Sequence, residues 1–292
     1  MIGVDWGTSS FRAYRIDSRD AIVGRVDAPR GILTVAEGGF PTALRELVGP
    51  WLADGESRIV MCGMVGSRQG WQEAAYLPCP ASAQDIAAAL VAVPFDGAQA
   101  LLTPGLSDRD AAGVPEVMRG EETQLVGILP GMGPGGLACL PGSHSKWARV
   151  ESGRIVGFTT FLSGEAFAAI RGGTILGRMM RDAPDDPHAF ARGVERSGQA
   201  GTLLHHLFGV RTLGLFGELS DTASASYLSG LLIGAEARAA LVPGRLVHLV
   251  GAAALCARYA AAIGICGGSA TVAEEDAAAR GLTLIARHAP WK

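Results

Sequence analysis

Residues Ile2 to Asp17 read IGVDWGTSSFRAYRID. An apolar run reaches Asp5, passes Trp6-Gly7-Thr8-Ser9-Ser10 and resumes as the alternating stretch Phe11-Arg12-Ala13-Tyr14-Arg15-Ile16. This pattern predicts a β-hairpin whose turn offers a carboxylate, small hydroxyls and open backbone N–H groups, which suits a polyphosphate and its magnesium ion. A carboxylate closing a buried strand is costly unless compensated, and a hydrated Mg2+ held by Asp5 would compensate it. An ordinary hairpin turn favours the same residues, so the segment gains force from what accompanies it.

A second segment repeats the order. Pro141-Gly142-Ser143-His144-Ser145-Lys146-Trp147 leads into Arg149-Val150-Glu151-Ser152 and then Ile155-Val156-Gly157, as the first turn leads into Arg15-Ile16-Asp17-Ser18 and Ile22-Val23-Gly24. Two such hairpins, each opening one half of the chain, suggest a duplicated fold with two phosphate clamps facing each other. Ser143, Ser145, Lys146 and the backbone amides could surround a γ-phosphate. The competing reading is a polar surface turn with a solvated lysine. The chain has no P-loop, no dinucleotide fingerprint and no G-x-S-x-G elbow.

Arg119-Gly120-Glu121-Glu122-Thr123 opens an apolar helix with two acids. Phosphoryl transfer to an alcohol needs a carboxylate near the attacking hydroxyl, although acids at a helix start are also common for electrostatic reasons. Ser67-Arg68-Gln69-Gly70-Trp71-Gln72-Glu73 mixes a cation, amides and an aromatic in one loop and could hold a polar acidic substrate; a purely structural loop fits the same residues equally well. Arg68 and Arg119 are candidate partners of a substrate carboxylate, which arginine can grip bidentately.

The elements that must position these groups alternate between strand and helix. Phe40 to Leu52 has helical spacing, and Arg58 to Met64 and Ala98 to Thr103 read as buried strands. Ile86 to Val93 is helix or strand. In the second half, Gly164 to Met180 is helical in spacing and Ser224 to Leu241 forms a long small-residue helix. Arg245 to Val250 is a strand, Leu255 to Ile263 a helix, Gly264 to Cys266 a strand and 272–279 a final helix. The expected class is α/β with mixed sheets. Pro130 to Gly136 (PGMGPGG) is the natural boundary between domains 1–130 and 131–292.

The 292 residues carry a formal net charge of −3 and no Lys/Arg-rich run, which argues against nucleic-acid binding. Lysine occurs only at Lys146 and Lys292, against 23 arginines, so Lys146 is worth noting. Five cysteines without metal spacing, no signal peptide and no long uncharged helix point to a cytoplasmic protein that does not engage a membrane. The helix Ser224 to Leu241 could pack within its domain or against a second subunit, leaving a homodimer open.

Together these segments resemble the sugar-kinase, hexokinase and actin superfamily. Five ordered blocks narrow the resemblance to the 2-dehydro-3-deoxygalactonokinase family: VDWGTSSFRAYRID from Val4, GMVGSRQGW from Gly63, VMRGEETQLVG from Val117, LPGSHSKW from Leu140 and YLSGLLIGAE from Tyr227. The resemblance implies two similar actin-like (ribonuclease H-like) domains with ATP and Mg2+ in the cleft between them. It implies phosphorylation of the 6-hydroxyl of a small sugar acid, 2-dehydro-3-deoxy-D-galactonate. It puts the catalytic base on Glu121 ahead of Glu122 and transition-state charge on Lys146. Gly7, Thr8, Ser9, Gly142, Ser143 and His144 would hold phosphates, Gly251 and Ala252 adenosine, Asp5 the metal, and Trp6, Arg68, Gln72 and Arg119 the substrate. Ser143 stands where threonine is expected, and Glu121 where the superfamily has aspartate.

Overall fold

A computed structural model describes residues 1–273 and 276–292. The first strands, β1 (Ile2–Trp6), β2 (Phe11–Ile16) and β3 (Ile22–Ala28), are followed by α1 (Phe40–Ala53), β4 (Arg58–Cys62) and β5 (Tyr76–Pro78). Next come α2 (Ala83–Ala88), β6 (Val91–Val93), β7 (Gln99–Leu102), β8 (Gly105–Arg109), β9 (Pro115–Met118) and α3 (Glu121–Ile128). The second half runs β10 (Gly135–Leu140), β11 (Ser145–Glu151), β12 (Arg154–Phe161), α4 (Ser163–Gly173), α5 (Pro187–Ser197), α6 (Leu203–Leu215) and α7 (Ser224–Ala240). It ends with β13 (Leu246–Leu249), α8 (Ala253–Ile265), β14 (Ser269–Val272) and α9 (Ala277–Ala286).

Two sheets share one strand order apart from β6, an extra edge strand that runs antiparallel to β7 in the first. The first is β3-β2-β1-β4-β7-β6 and the second β12-β11-β10-β13-β14. In each, an antiparallel hairpin flanks a central strand that then pairs in parallel with later strands. The repeated hairpins of the sequence are therefore the same structural unit twice, and the mixed α/β class follows. A small third sheet, β5-β8-β9, was not legible in the sequence.

Contact density divides the chain into two compact units, Met1–Gly135 with Ala148–Phe158 and Glu274–Lys292, and Gly136–Trp147 with Thr159–Ala273. The units interleave along the chain, unlike a single cut at 130.

In the first unit, β1 is covered on both faces, which explains its apolar start Ile2-Gly3-Val4. α1 lays Phe40, Ala43, Leu44 and Val48 against Ile2, Val4, Trp6 and Phe11. On the other face Leu282 of α9 packs with Val60 and Cys62. Backbones of α3 and α9 nearly touch: a methyl at Gly127 would lie 2.0 Å from the Ala277 carbonyl, and one at Gly281 1.8 Å from that of Thr123. Glycine at both positions lets α9 brace the helix that carries Glu121 and Glu122.

In the second unit α7 is buried along most of its length. Gly230 and Gly193 admit close contact with α5, since methyl groups there would lie 2.1 and 2.2 Å from the carbonyls of Phe190 and Tyr227. The small-residue stripe thus serves the core of its own unit.

Several local expectations differ from the structure. Residues 86–93 hold both a helix end and a strand, α2 and β6. The strand expected at Gly264 to Cys266 is the last turn of α8; Gly267, at φ +84°, stops the helix and β14 begins at Ser269. The helix from Gly164 ends at Gly173. The final helix, expected over 272–279, includes two positions outside the described residues, and α9 starts at Ala277.

Candidate active site

In the first unit the chemistry gathers at the ends of β1 and β4 and the start of α3. Strand register sets Asp5 opposite Arg12 and beside Cys62. The β1–β2 turn is closed by Gly7 N–H donating to the Ser10 carbonyl at 2.9 Å, leaving Thr8 and Ser9 exposed. Behind the turn, Ile32 N–H donates to the Gly7 carbonyl at 3.0 Å. Gly63, at φ +94°, follows β4; a methyl there would lie 2.7 Å from the Trp6 carbonyl and 3.2 Å from Asp5 Oδ1. A methyl on Gly120 would lie 3.2 Å from the Cα of Gly63. Glycines at both positions bring three chain segments together around one carboxylate.

Burial pushes the Asp5 carboxyl above its ordinary range; Arg12 opposes this and the negative Glu121 adds to it. A positive ion beside it would favour its charged form. Among the described residues no cluster of three or more His, Cys, Asp or Glu could hold a metal. Mg2+ at a phosphate site needs only one or two carboxylates and keeps several waters, so a half-buried Asp5 fits it.

The two acids of α3 are held differently. Glu122 is fully buried: its Oε2 accepts Gly120 N–H at 2.6 Å and its Oε1 accepts Thr123 Oγ1–H at 3.0 Å. Burial, and then the charge of Glu121, push its carboxyl up to about 8. Glu121 is only half-buried, and its Oε2 accepts Arg119 N–H at 3.0 Å. Of the pair, Glu121 has the more accessible carboxylate.

Trp6 has no exposed surface, stacks edge-on with Phe11 and Phe40, and donates its indole N–H to the Arg30 carbonyl at 2.8 Å. It is a core residue with no face to offer a substrate, contrary to expectation. Arg68 is 87% exposed beside Glu73 at 3.5 Å, and Gln72 is also exposed. Arg119 is buried, lies over the Tyr76 ring at 4.4 Å and donates Nη2–H to the Ala74 carbonyl at 2.7 Å.

In the second unit the β10–β11 turn carries Gly142, Ser143 and His144. Ser143 is exposed, and its carbonyl accepts the N–H of Glu165 from the first turn of α4 at 3.0 Å. His144 Nε2 meets Glu165 Oε2 at 2.5 Å. Lys146 is 6% exposed, and its ammonium donates to Thr160 Oγ1 at 3.0 Å. That burial excludes the solvated-lysine reading.

Sequence reasoning missed the network behind this turn. Glu236 of α7 accepts the Trp147 indole N–H at 2.7 Å and the Tyr259 hydroxyl at 3.0 Å, and Tyr259 also reaches Ser145 at 3.2 Å. The signal available was an acid inside an otherwise apolar helix. Gly251 adopts φ +147°, open to glycine, between β13 and the exposed start of α8 at Ala252. Neighbouring it, a cavity of about 270 Å3 is lined by Gly142, Ser143, Phe167, Leu255 and Tyr259. A second cavity of about 510 Å3 shares Phe167, Ser229 and Arg258 with it.

The family model for 2-keto-3-deoxy-galactonokinase matches residues 5–285. The chain belongs to this family. A protein of Rhizobium meliloti (strain 1021) named "Probable 2-dehydro-3-deoxygalactonokinase" is 37% identical over 99% of this chain and 96% of its own length. The 2-dehydro-3-deoxygalactonokinase of Escherichia coli (strain K12) is 34% identical over 95% and 94%. A crystal structure from Sinorhizobium meliloti, described as a candidate 2-dehydro-3-deoxygalactonokinase, superposes at TM-score 0.91 with 37% identity, covering 98% of both chains. As a 2-keto-3-deoxy-galactonokinase family member the chain is a carbohydrate kinase that uses ATP, with the actin-like sugar-kinase fold. None of the helices among the described residues is long and apolar enough to cross a membrane.

Proposed function

We propose that this kinase transfers the γ-phosphoryl group of ATP to the 6-hydroxyl of 2-dehydro-3-deoxy-D-galactonate, giving 2-dehydro-3-deoxy-6-phospho-D-galactonate in cytoplasmic galactonate breakdown. The observation that carries the reading is Glu121, a half-buried acid fixed by the Arg119 N–H and coupled electrostatically to Asp5. ATP supplies the phosphoryl group, and Mg2+ neutralises charge on its phosphates.

The chain's own groups supply the rest. Glu121 orients the attacking hydroxyl and accepts its proton. Asp5 holds the hydrated metal, and Gly7, Thr8 and Ser9 offer N–H and hydroxyl donors to phosphate oxygens. In the second unit Gly142, Ser143 and His144 do the same, while Lys146 sets a positive charge where negative charge builds during transfer. The cavity beside Gly142 and Ser143, with Gly251 and Ala252 nearby in sequence to its α8 wall, takes the nucleoside. Arg68 and Gln72 form the outer rim of the substrate loop. NMR of the product tests the reading: phosphorus coupled to the C6 protons is expected, and phosphate on any other carbon contradicts it.

A further inference from the structure

Among the described residues four buried side-chain atoms lack a hydrogen-bond partner, and three of them belong to Ser67 and Arg119: Ser67 Oγ, Arg119 Nε and Arg119 Nη1. Arg119 lies beside the loop that carries Ser67. A methyl on Gly66 would lie 3.2 Å from Arg119 Nη1, and Ser67 is the next residue. The guanidinium is fixed on one face by the Tyr76 ring and at Nη2 by the Ala74 carbonyl. It makes no ion pair among the described residues. A buried cation with open donors and no carboxylate is expensive, and such a group in a native fold calls for a completing partner, whether water, an ion or a ligand.

The loop over it is built to stay in place. Trp71 N–H donates to the Val65 carbonyl at 2.8 Å, Ala74 N–H to that of Gly66 at 2.9 Å, and Gly70 N–H to that of Ser67 at 2.9 Å. Arg68, on the same loop, is by contrast matched with Glu73 at 3.5 Å. The unmatched charge therefore sits two residues before Glu121, on the segment whose N–H holds the Glu121 carboxylate.

We propose that Arg119 and Ser67, rather than the exposed Arg68, bind the carboxylate of the acceptor and so make the enzyme specific for sugar acids over neutral sugars. This rests on the kinase reading above and names the group that reads one end of its acceptor while Glu121 handles the other. The missing partner is a planar anion. Arg119 Nε and Nη1 and the Ser67 hydroxyl are all able to donate to it. A hydrogen bond to a charged group contributes enough to change affinity about 10- to 100-fold.

Calorimetry without ATP tests this, using 2-dehydro-3-deoxygalactonate and its C1 amide as probes of wild type, Arg119→Met and Ser67→Ala. Wild type is expected to prefer the acid strongly. Arg119→Met should weaken acid binding about 10- to 100-fold and leave amide binding within about threefold, so that the preference collapses. Ser67→Ala, which removes one donor and leaves the guanidinium in place, should reduce the same preference several-fold. Retention of the full acid-over-amide preference in both variants would overturn the proposal. Failure of the kinase reading would show separately, as absence of phosphoryl transfer by the wild type, because binding here is read without ATP.

Discussion

The Glu122 carboxylate accepts the backbone N–H of Gly120 at 2.6 Å from a site with no solvent exposure. This bond ties the acid to the residue that abuts Gly63, so Glu122 shapes the turn on which Glu121 is presented. Folding raises its pKa from 4.5 to about 8, with burial the main cause. The native chain then binds more protons than the unfolded chain between those values, and stability must fall as pH rises from 4.5 to 8. Glu122→Gln removes that dependence. Its unfolding free energy should be flatter across this window, and at pH 8 it should match or exceed wild type by up to a few kcal/mol. Denaturant melts at pH 5, 6.5 and 8 check this; an unchanged slope would refute it.

Glu121, in contrast, is half-buried and is the proposed general base. Glu121→Gln should keep ATP affinity within about threefold and lower kcat by about 100- to 10,000-fold, the usual range for losing a general base. A rate within a few-fold of wild type would move the base elsewhere.

In the second unit Lys146 is a buried ammonium anchored by Thr160. Lys146→Met preserves much of its volume and removes the charge. The expected result is a kcat drop of about 100- to 1,000-fold with little change in the KM for the sugar acid. An unchanged kcat would place Lys146 outside the reaction.

Asp5 is the proposed magnesium anchor. Asp5→Asn should raise the Mg2+ concentration for half-maximal activity about tenfold or more. Wild-type Mg2+ dependence should also steepen at low pH, because the raised pKa of Asp5 makes proton and metal compete for the same oxygens. Identical Mg2+ curves for variant and wild type would rule out that role.

The sequence made the two hairpins legible because glycine and hydroxyl residues at a strand turn leave a strong local pattern, and Asp5, Glu121 and Lys146 stood out by type and place. Trp6 misled, since adjacency to Gly7 says nothing about which face of β1 a side chain takes; alternation sends it into the core against Phe11 and Phe40. Arg68 and Arg119 looked equivalent as letters, and only burial separated them. Glu236 and Tyr259, 23 residues apart, meet through the packing of α7 on α8, a tertiary relation that no local spacing encodes. The strand at Gly264 failed because a short apolar run before glycine fits either a helix end or a strand.

The central claim is that ATP turnover depends on the sugar acid. Coupled detection of ADP, with 2-dehydro-3-deoxygalactonate, its gluconate epimer and a neutral hexose as acceptors, measures it directly. The account predicts one ADP per sugar acid consumed, the highest kcat/KM for the galactonate compound and almost none for the hexose. ATP hydrolysis at the same rate with and without every acceptor would contradict it.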